Sequence, residues 1–379
     1  MTLSISGTGI GRFGRRKEGL EELLEEAARE ALERAPPASR RPGLLLVGSM
    51  APAVLGGLEN LVPRMADRLG LTGVDGYHVD TASASGAGVF HIACELVSGG
   101  RYESALVLAG EKMTGAPTEA VTGALARSLS PHEIRHGATM PALAALVAQE
   151  YLTRHRIPWE ELGEVSVQNR ENAVKNPNAQ FRTPVTLEEV NRSRVIARPL
   201  RLLHVSAISD GAAGILLEHR PGPVRVRGWG QGTDVMEVAS RPDPTRFEAT
   251  RTAARRAYEM ARSSPREVDV AELHDAFAPF QLVDLEDVGF CGPGEALTWM
   301  RNGNGAPGGS LPINPSGGLL GRGHPVGASG LAQIVEVARQ LSQEAGPLQA
   351  GHPRMGLTQS VGGLGSHNFV TLLGREEGP

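Results

Sequence analysis

The chain has 379 residues, of which 40% are hydrophobic, so it can bury a substantial core and should form two or more domains. Its formal charge of −4 gives no reason to expect a nucleic-acid partner. No stretch is long or apolar enough to span a membrane, and the N-terminus lacks a secretory pattern, so we expect a cytoplasmic protein. Its two cysteines, Cys94 and Cys291, have no metal-ligand spacing, and no metal site is predicted.

Strand and helix signals alternate along the N-terminal half. Residues 18–34 predict an amphipathic helix, and two short apolar runs between turn residues, 44–47 and 105–109, predict buried strands. The stretch 115–200 is polar, arginine-rich and poor in strand signals, with a helical pattern over 140–154. This alternation is typical of a mixed α/β fold.

The C-terminal half shows the same alternation. We predict strands over 212–218 and 224–229, a helix over about 248–262, a strand ending at Leu273, and terminal strands around 354–375. Pro221-Gly222-Pro223 separates the first two strands. We therefore divide the chain into residues 1–222 and residues 223–379.

One ionisable ring stands in a glycine-dense run. Residues 314–330 read Asn-Pro-Ser-Gly-Gly-Leu-Leu-Gly-Arg-Gly-His-Pro-Val-Gly-Ala-Ser-Gly, with His324 as their single histidine. The glycines permit positive φ and close approach to a ligand, while Pro325 fixes the backbone after the histidine. A structural histidine in a surface turn would not need this setting, so we predict a functional role for His324.

Other segments complete a recognisable set. Residues 271–280 read Ala-Glu-Leu-His-Asp-Ala-Phe-Ala-Pro-Phe, residues 209–214 read Ser-Asp-Gly-Ala-Ala-Gly, residues 110–113 read Gly-Glu-Lys-Met, and residues 362–365 read Gly-Gly-Leu-Gly. Together with residues 314–330, these segments resemble the signature segments of the thiolase superfamily and follow the same order along the chain. The His-Asp-x-Phe motif at residues 274–277 resembles the motif of the sterol-carrier-protein type and archaeal thiolases. Members of this superfamily make or break carbon–carbon bonds between acyl thioesters, usually coenzyme A derivatives.

The resemblance implies a five-layered α-β-α-β-α thiolase fold, built from two similar halves plus a loop domain at about 115–200. It also implies an acyl-CoA thioester as substrate, with no covalently bound cofactor. A homodimer or tetramer is expected, and an OB-fold partner protein is possible, as some relatives have one.

The chain departs from the family at the nucleophile. The family's Cys-Ala-Ser-Gly turn, which opens a buried helix, corresponds here to Thr81-Ala82-Ser83-Ala84-Ser85-Gly86, so Ser83 replaces the cysteine. Ser360 stands in place of the usual second cysteine. A thiol has a pKa of about 8.5 and is readily activated, whereas a serine hydroxyl attacks only when a base removes its proton.

The candidate catalytic residues are therefore Ser83, His274, His324 and Ser360. His324 would take the proton of Ser83, and His274 would bind the thioester oxygen, although His274 beside Asp275 could also be a hydrogen-bonded core residue. Ser83 could be a nucleophile, a hydrogen-bond donor to substrate, an inert replacement, or a substitution introduced to trap a ligand. Asn314 could cap a turn or contact the substrate.

Three functions remain open. The first is an acyltransferase with a Claisen-type reaction through Ser83. The second is a retro-aldolase acting on β-hydroxyacyl-CoA without a covalent intermediate, although no tyrosine lies near the motifs to serve as a phenolic base. The third is a non-catalytic acyl-CoA binder or scaffold subunit.

Coenzyme A contacts are predicted from the position of basic residues in the presumed loop domain. Arg127, Arg135, Lys175 and Arg182 could meet its phosphates. The backbone amides near Ser83 and Gly363 would form an oxyanion hole.

Overall fold

The computed structural model describes residues 2–376. Its strands are β1 (Ser4–Ile10), β2 (Leu44–Gly48), β3 (Asp75–Val79), β4 (Ser104–Glu111), β5 (Val195–Ala197), β6 (Leu200–Arg201), β7 (Gly211–Glu218), β8 (Val224–Thr233), β9 (Val270–Glu272), β10 (Met355–Gly362) and β11 (His367–Arg375). Its α-helices are α1 (Leu20–Arg34), α2 (Pro52–Leu55), α3 (Leu61–Leu69), α4 (Ser85–Ser98), α5 (Thr118–Ala126), α6 (Pro131–Arg135), α7 (Met140–His155), α8 (Gly163–Ala173), α9 (Leu187–Arg192), α10 (Glu248–Ala261), α11 (Ala278–Asp287), α12 (Ala296–Arg301), α13 (Gly318–Arg322) and α14 (Ser329–Leu341).

Nine strands form one sheet made of two halves. The order is β3-β2-β4-β7-β1-β8-β11-β10-β9, and the halves meet only where Ser4 and Ile5 of β1 pair with β8. In the first half, β3, β2 and β4 run parallel, and β7 is antiparallel to both β4 and β1. The second half repeats this pattern with β9 and β10 parallel, β11 antiparallel to β10 and β8, and a parallel bridge from Ala271 to Ile313 in the place of β3.

Helices cover both faces of each half. Helices α1 and α3 pack on the outside of the first half. Helices α4 and α14 lie between the halves: their apolar residues join one core with β1, β2, β4 and β7, and α14 also contacts β9, β10 and β11. Helix α10 covers the outside of the second half. The predicted five-layered α/β architecture is confirmed.

The two central helices approach so closely that only glycine fits at their crossing. A Cβ on Gly86 of α4 would lie 2.5 Å from the Leu331 nitrogen of α14. A Cβ on Gly330 of α14 would lie 2.7 Å from the Ala87 nitrogen of α4. This crossing places the N-terminal end of α4, directly after Ser83, beside the N-terminal end of α14, which follows His324.

The insertion between β4 and β7 is mostly helical. It contains α5 to α9, a 3₁₀ turn over Trp159–Leu162 and the two-stranded hairpin β5–β6. The corresponding connection in the second half, between β10 and β11, is only residues 363–366. The insertion packs against the second half in a shared apolar core, which brings residues 205–210 close to the His324 loop. None of the helices in residues 2–376 is both long and apolar enough to cross a bilayer.

Candidate active site

Ser83 lies in a tight turn at the start of α4. Its neighbour Ala82 has a φ of +54°, a left-handed conformation that a residue with a Cβ rarely adopts, and the Ala82 N–H donates to Asp80 Oδ1 at 2.8 Å. Ser83 is 8% exposed, and its hydroxyl donates to the carbonyl oxygen of Val361 at 2.8 Å. The turn therefore presents Ser83 at the amino end of a buried helix and against strand β10.

His324 is held at its backbone and at one nitrogen of its ring. Its backbone N–H donates to Ser209 Oγ at 3.0 Å, and its Nδ1 lies 2.7 Å from Ser329 Oγ. The single proton of the Ser329 hydroxyl goes to the Pro325 carbonyl at 3.0 Å, so the hydroxyl offers His324 a lone pair. This network favours a proton on Nδ1 and leaves Nε2 as a free acceptor.

His274 faces His324. The two ring centroids are 5.0 Å apart and the rings are nearly perpendicular. The backbone N–H of His274 donates to Gln359 Oε1 at 3.0 Å, which ties the end of β9 to β10 beside Ser360. The Nδ1 atom of His274 is enclosed and has no hydrogen-bond partner among residues 2–376.

Both imidazoles are neutral at ordinary pH. Burial lowers the pKa of His324 to about 3, with the nearby Arg322 charge adding to the effect. Burial, followed by the proximity of His324, lowers the pKa of His274 well below its usual range. A neutral imidazole carries one N–H and one lone pair, so each ring can donate one hydrogen bond and accept one proton.

A buried polar network holds the two histidine segments together. Asp275 accepts from the backbone N–H groups of Leu319 and Leu320 at 2.6 and 3.1 Å, and from Asn169 Nδ2 at 2.7 Å. Burial raises the pKa of Asp275 to about 6, which these hydrogen bonds to the carboxylate oppose. The residue after His274 thus anchors the loop that carries His324.

Asn314 belongs to the same network. Its Oδ1 accepts from the Leu273 N–H at 2.7 Å and its Nδ2 donates to Gln281 Oε1 at 2.9 Å, so both ends of the amide are occupied. The Asn314 side chain therefore braces the backbone of Leu273 and does not cap its own turn, and a contact with the substrate stays a prediction.

Ser360 and Gly363 close the site from β10. Ser360 Oγ is enclosed and has no partner in the described part of the chain, and it lies where a Cβ on Gly330 would be 2.8 Å away. Gly363 has a φ of +64° in the turn after β10. The N–H groups of Ser83 and Gly363 donate to no other described residue, whereas the Gly362 N–H donates weakly to Asn368 Oδ1 at 3.3 Å. Ser83, His274, His324 and Ser360 are therefore gathered around residues 359–363.

The four predicted coenzyme A contacts lie at the surface. Arg127, Arg135, Lys175 and Arg182 are all exposed. Arg127 lines a cleft of about 510 Å³ that reaches Ala82, beside the nucleophile position. The Arg182 guanidinium approaches the carbonyl oxygen of Val174, the residue before Lys175, at 3.5 Å. Their roles, like that of Arg135, stay predictions.

The sequence alone does not reveal the hydrogen-bond partners of several supporting residues. Ser329 and Gln359 act through hydrogen bonds to the two histidine segments. Glu111 is fully buried and accepts from the N–H groups of Met50 and Gly327, which ties the His324 loop to the end of β4. The Gly-Glu-Lys-Met segment pointed to this glutamate but not to its partners.

The tyrosines lie away from these residues. The hydroxyl of Tyr151 donates to Glu286, that of Tyr258 donates to the Val288 carbonyl, and that of Tyr102 donates to Asp75. None of these three tyrosines therefore supplies a phenol to the site. In residues 2–376, no group of three or more His, Cys, Asp or Glu side chains is arranged to hold a metal ion.

Two family descriptions match the chain: "Thiolase, N-terminal domain" over residues 4–220 and "Thiolase C-terminal domain-like" over residues 230–375. An acetyl-CoA acetyltransferase of Methanothermobacter thermautotrophicus is 35% identical over 98% of this chain and 99% of the relative. Sterol carrier protein 2 of Bos taurus is 30% identical over 97% of this chain and 71% of the relative. A solved structure described as "Ltp2-ChsH2(DUF35) aldolase" superposes with a TM-score of 0.85 at 24% identity, over 100% of this chain and 99% of the other.

Proposed function

The chain belongs to the thiolase superfamily, and on that premise we propose that it is a thiolase-like acyltransferase that makes or breaks a carbon–carbon bond beside the carbonyl of an acyl-CoA thioester. The observation that carries this proposal is the pair of neutral, buried histidine rings, 5.0 Å apart, beside the turn of Ser83. A site that only bound a thioester would gain little from two desolvated imidazoles.

In the acyltransferase reaction Ser83 attacks the thioester carbonyl while Nε2 of His324 takes its proton. The tetrahedral intermediate then expels coenzyme A, and its sulfur takes that proton back from Nε2. The N-terminus of α4 and the free N–H groups of Ser83 and Gly363 would stabilise the oxyanion. The resulting acyl-serine is an oxygen ester, which exchanges less readily with a thiol than a thioester does. The carbanion step needs a second base: Ser360 is unsuited to this, so the ring of His274 is the remaining candidate.

A retro-aldol cleavage of a β-hydroxyacyl-CoA is the second candidate. It is favoured by the hydrogen bond of the Ser83 hydroxyl, which goes to the Val361 carbonyl at 2.8 Å and not to a histidine. In that reaction one imidazole accepts the hydroxyl proton of the substrate, and the Cα–Cβ bond breaks to give an aldehyde or ketone and the enolate of the shortened thioester. The other imidazole donates to the enolate oxygen until the carbon is protonated, and Ser83 forms no covalent bond.

The substrate and partner proposals rest on the family. We propose an acyl-CoA substrate, a cytoplasmic location, and assembly as a homodimer or tetramer. Strand β3 supports assembly because it is the outer strand of the sheet and exposes Tyr77 by 47%. The superposed aldolase, Ltp2-ChsH2(DUF35), has two named components, which is compatible with a partner protein for this chain as well.

Steady-state turnover of acetoacetyl-CoA and of a β-hydroxyacyl-CoA, compared among three variants, tests the proposal. His324→Ala should abolish either reaction, Ser83→Ala should abolish only acyl transfer, and the exposed-site control His352→Ala should be unaffected. Full activity of His324→Ala on either substrate would contradict the site assignment.

A further inference from the structure

Each catalytic histidine follows a buried ionic residue by two positions. Glu272 in β9 precedes His274, and Arg322 at the end of α13 precedes His324. Both Glu272 and Arg322 are completely buried. Neither side chain lies in the hydrogen-bond network that Asp275 organises, and the proposed reaction uses neither.

The two side chains meet over Ser316, near the start of the His324 loop. Glu272 accepts from the Ser316 N–H at 3.0 Å and from the Ser316 hydroxyl at 2.7 Å. Arg322 Nη1 lies 3.4 Å from Ser316 Oγ, 3.8 Å from Glu272 Oε2 and 3.9 Å from Glu336 Oε1 of α14. The Arg322 guanidinium thus joins strand β9, the His324 loop and helix α14.

The arrangement is costly for stability. The ion-pair distances exceed those of direct hydrogen bonds, and Arg322 Nε and Nη2 have no partner among residues 2–376, although the guanidinium packs 5.4 Å from the Phe13 ring centroid. Apolar residues of the same volume often replace a buried ion pair without loss of stability. Stability alone therefore does not explain why these charges are here.

We propose that Arg322 and Glu272 are positioning residues that form a clamp, which sets the separation and orientation of His274 and His324. The clamp acts on the backbone, because each ionic side chain sits two residues before a histidine and both are fixed to Ser316. This inference deepens the proposed function, since it concerns the same pair of rings. Besides burial, Arg322 is the charged group whose proximity lowers the pKa of both rings, and Glu272 and Glu336 are the carboxyl groups within 4 Å of its guanidinium.

The test separates positioning from stability. We expect Arg322→Met to lower the Tm, because it leaves Glu272 buried without its cation. The double variant Glu272→Met/Arg322→Met should recover part of the Tm, because it removes the unpaired charge at position 272, although Glu336 still lacks its cation and Ser316 loses its acceptor. If the clamp positions the rings, this double variant should still show altered ¹⁵N-histidine NMR signals for His274 and His324 and a kcat at least about tenfold lower, with KM nearly unchanged.

Two further variants keep the test decisive. Arg322→Lys retains the charge and should retain more of the native histidine signals than Arg322→Met. The exposed pair Glu188 and Arg192, replaced by methionine in the same way, should change neither Tm nor histidine signals. If the buried double variant does not fold, the histidine NMR signals of Glu272→Gln test the clamp instead, because this variant removes the charge of Glu272 with little change in volume.

Native histidine signals and native kcat in the folded double variant, or native signals in Glu272→Gln when the double variant does not fold, would overturn the clamp. The NMR readout needs no substrate. A protein that turns over no thioester, but whose histidine signals change only in the clamp variants, would refute the proposed function and leave the clamp standing.

Discussion

In the proposed site, Ser329 determines which ring nitrogen of His324 is available to accept a proton. Replacing it by alanine removes the partner of Nδ1 at 2.7 Å and leaves that atom buried and unpaired. Losing one partner of a buried polar group costs about 1–3 kcal/mol. If that cost falls on the productive ring orientation, kcat should decrease about 5- to 150-fold, since about 1.4 kcal/mol corresponds to a factor of ten.

The assay is the steady-state rate with acetoacetyl-CoA or a β-hydroxyacyl-CoA, with kcat and KM determined separately. Because Ser329 acts through His324, kcat should fall while KM changes little. Ser329→Thr keeps a hydroxyl at the same place and should restore part of the rate. Ser98→Ala removes an exposed hydroxyl at the other central helix and serves as the control.

A Ser329→Ala variant with native kcat would refute this role of Ser329. A variant that loses activity only in proportion to a lowered Tm, without rescue by threonine, would refute it equally, because that result indicates a packing role alone.

Three further predictions concern the fold, the buried acids and the nucleophile position. Gly330→Ala should lower the Tm by several degrees, because the new Cβ would lie 2.7 Å from a backbone nitrogen of α4. The control Gly123→Ala should preserve or raise the Tm, because its Cβ meets nothing within 4 Å. Equal Tm values for the two variants would contradict the close helix crossing. Burial raises the pKa of Glu111 to about 7 and that of Asp287 to about 8, so these groups bind protons more tightly in the folded protein than in the unfolded chain. Scanning fluorimetry should therefore give a lower Tm near pH 8.5 than near pH 7. A Tm that stays constant or rises over this range would argue against these pKa shifts. In Ser83→Cys the new thiol lies at the N-terminal end of α4 and should react with iodoacetamide at neutral pH much faster than the native Cys94, because burial raises the pKa of Cys94. Mass mapping measures the two reactivities. A new cysteine no more reactive than Cys94 would speak against an activating site.

The sequence predicted the parts of the fold that follow from apolar runs. The strands at 44–47 and 105–109 and the helices at 140–154 and 248–262 are present with small changes at their ends. Strands β1 and β3 were not predicted. The first is rich in glycine because α1 packs directly on its backbone, and the second is largely exposed at the sheet edge, so neither shows a continuous apolar pattern.

The site was predictable to the extent that its residues stand in motifs. His274 and His324, which are 50 positions apart in sequence, lie in two segments that the resemblance paired, and their rings are in contact. The side-chain partners were not predictable, because the Gln359 contact crosses 85 residues and depends on the register of β9 and β10. The direction of the Ser83 hydroxyl likewise follows from the position of the Val361 carbonyl, which only the folded chain defines.

Acyl transfer through Ser83 would leave an acyl group on the protein, and intact-mass spectrometry detects such an adduct. The native protein, Ser83→Ala and Ser83→Cys are each incubated with acetyl-CoA and with longer acyl-CoAs. Acyl transfer through Ser83 predicts an adduct on the native protein that is absent from Ser83→Ala. An adduct on Ser83→Cys alone would contradict it, since the pocket would then accept an acyl group while the natural protein works without a covalent intermediate.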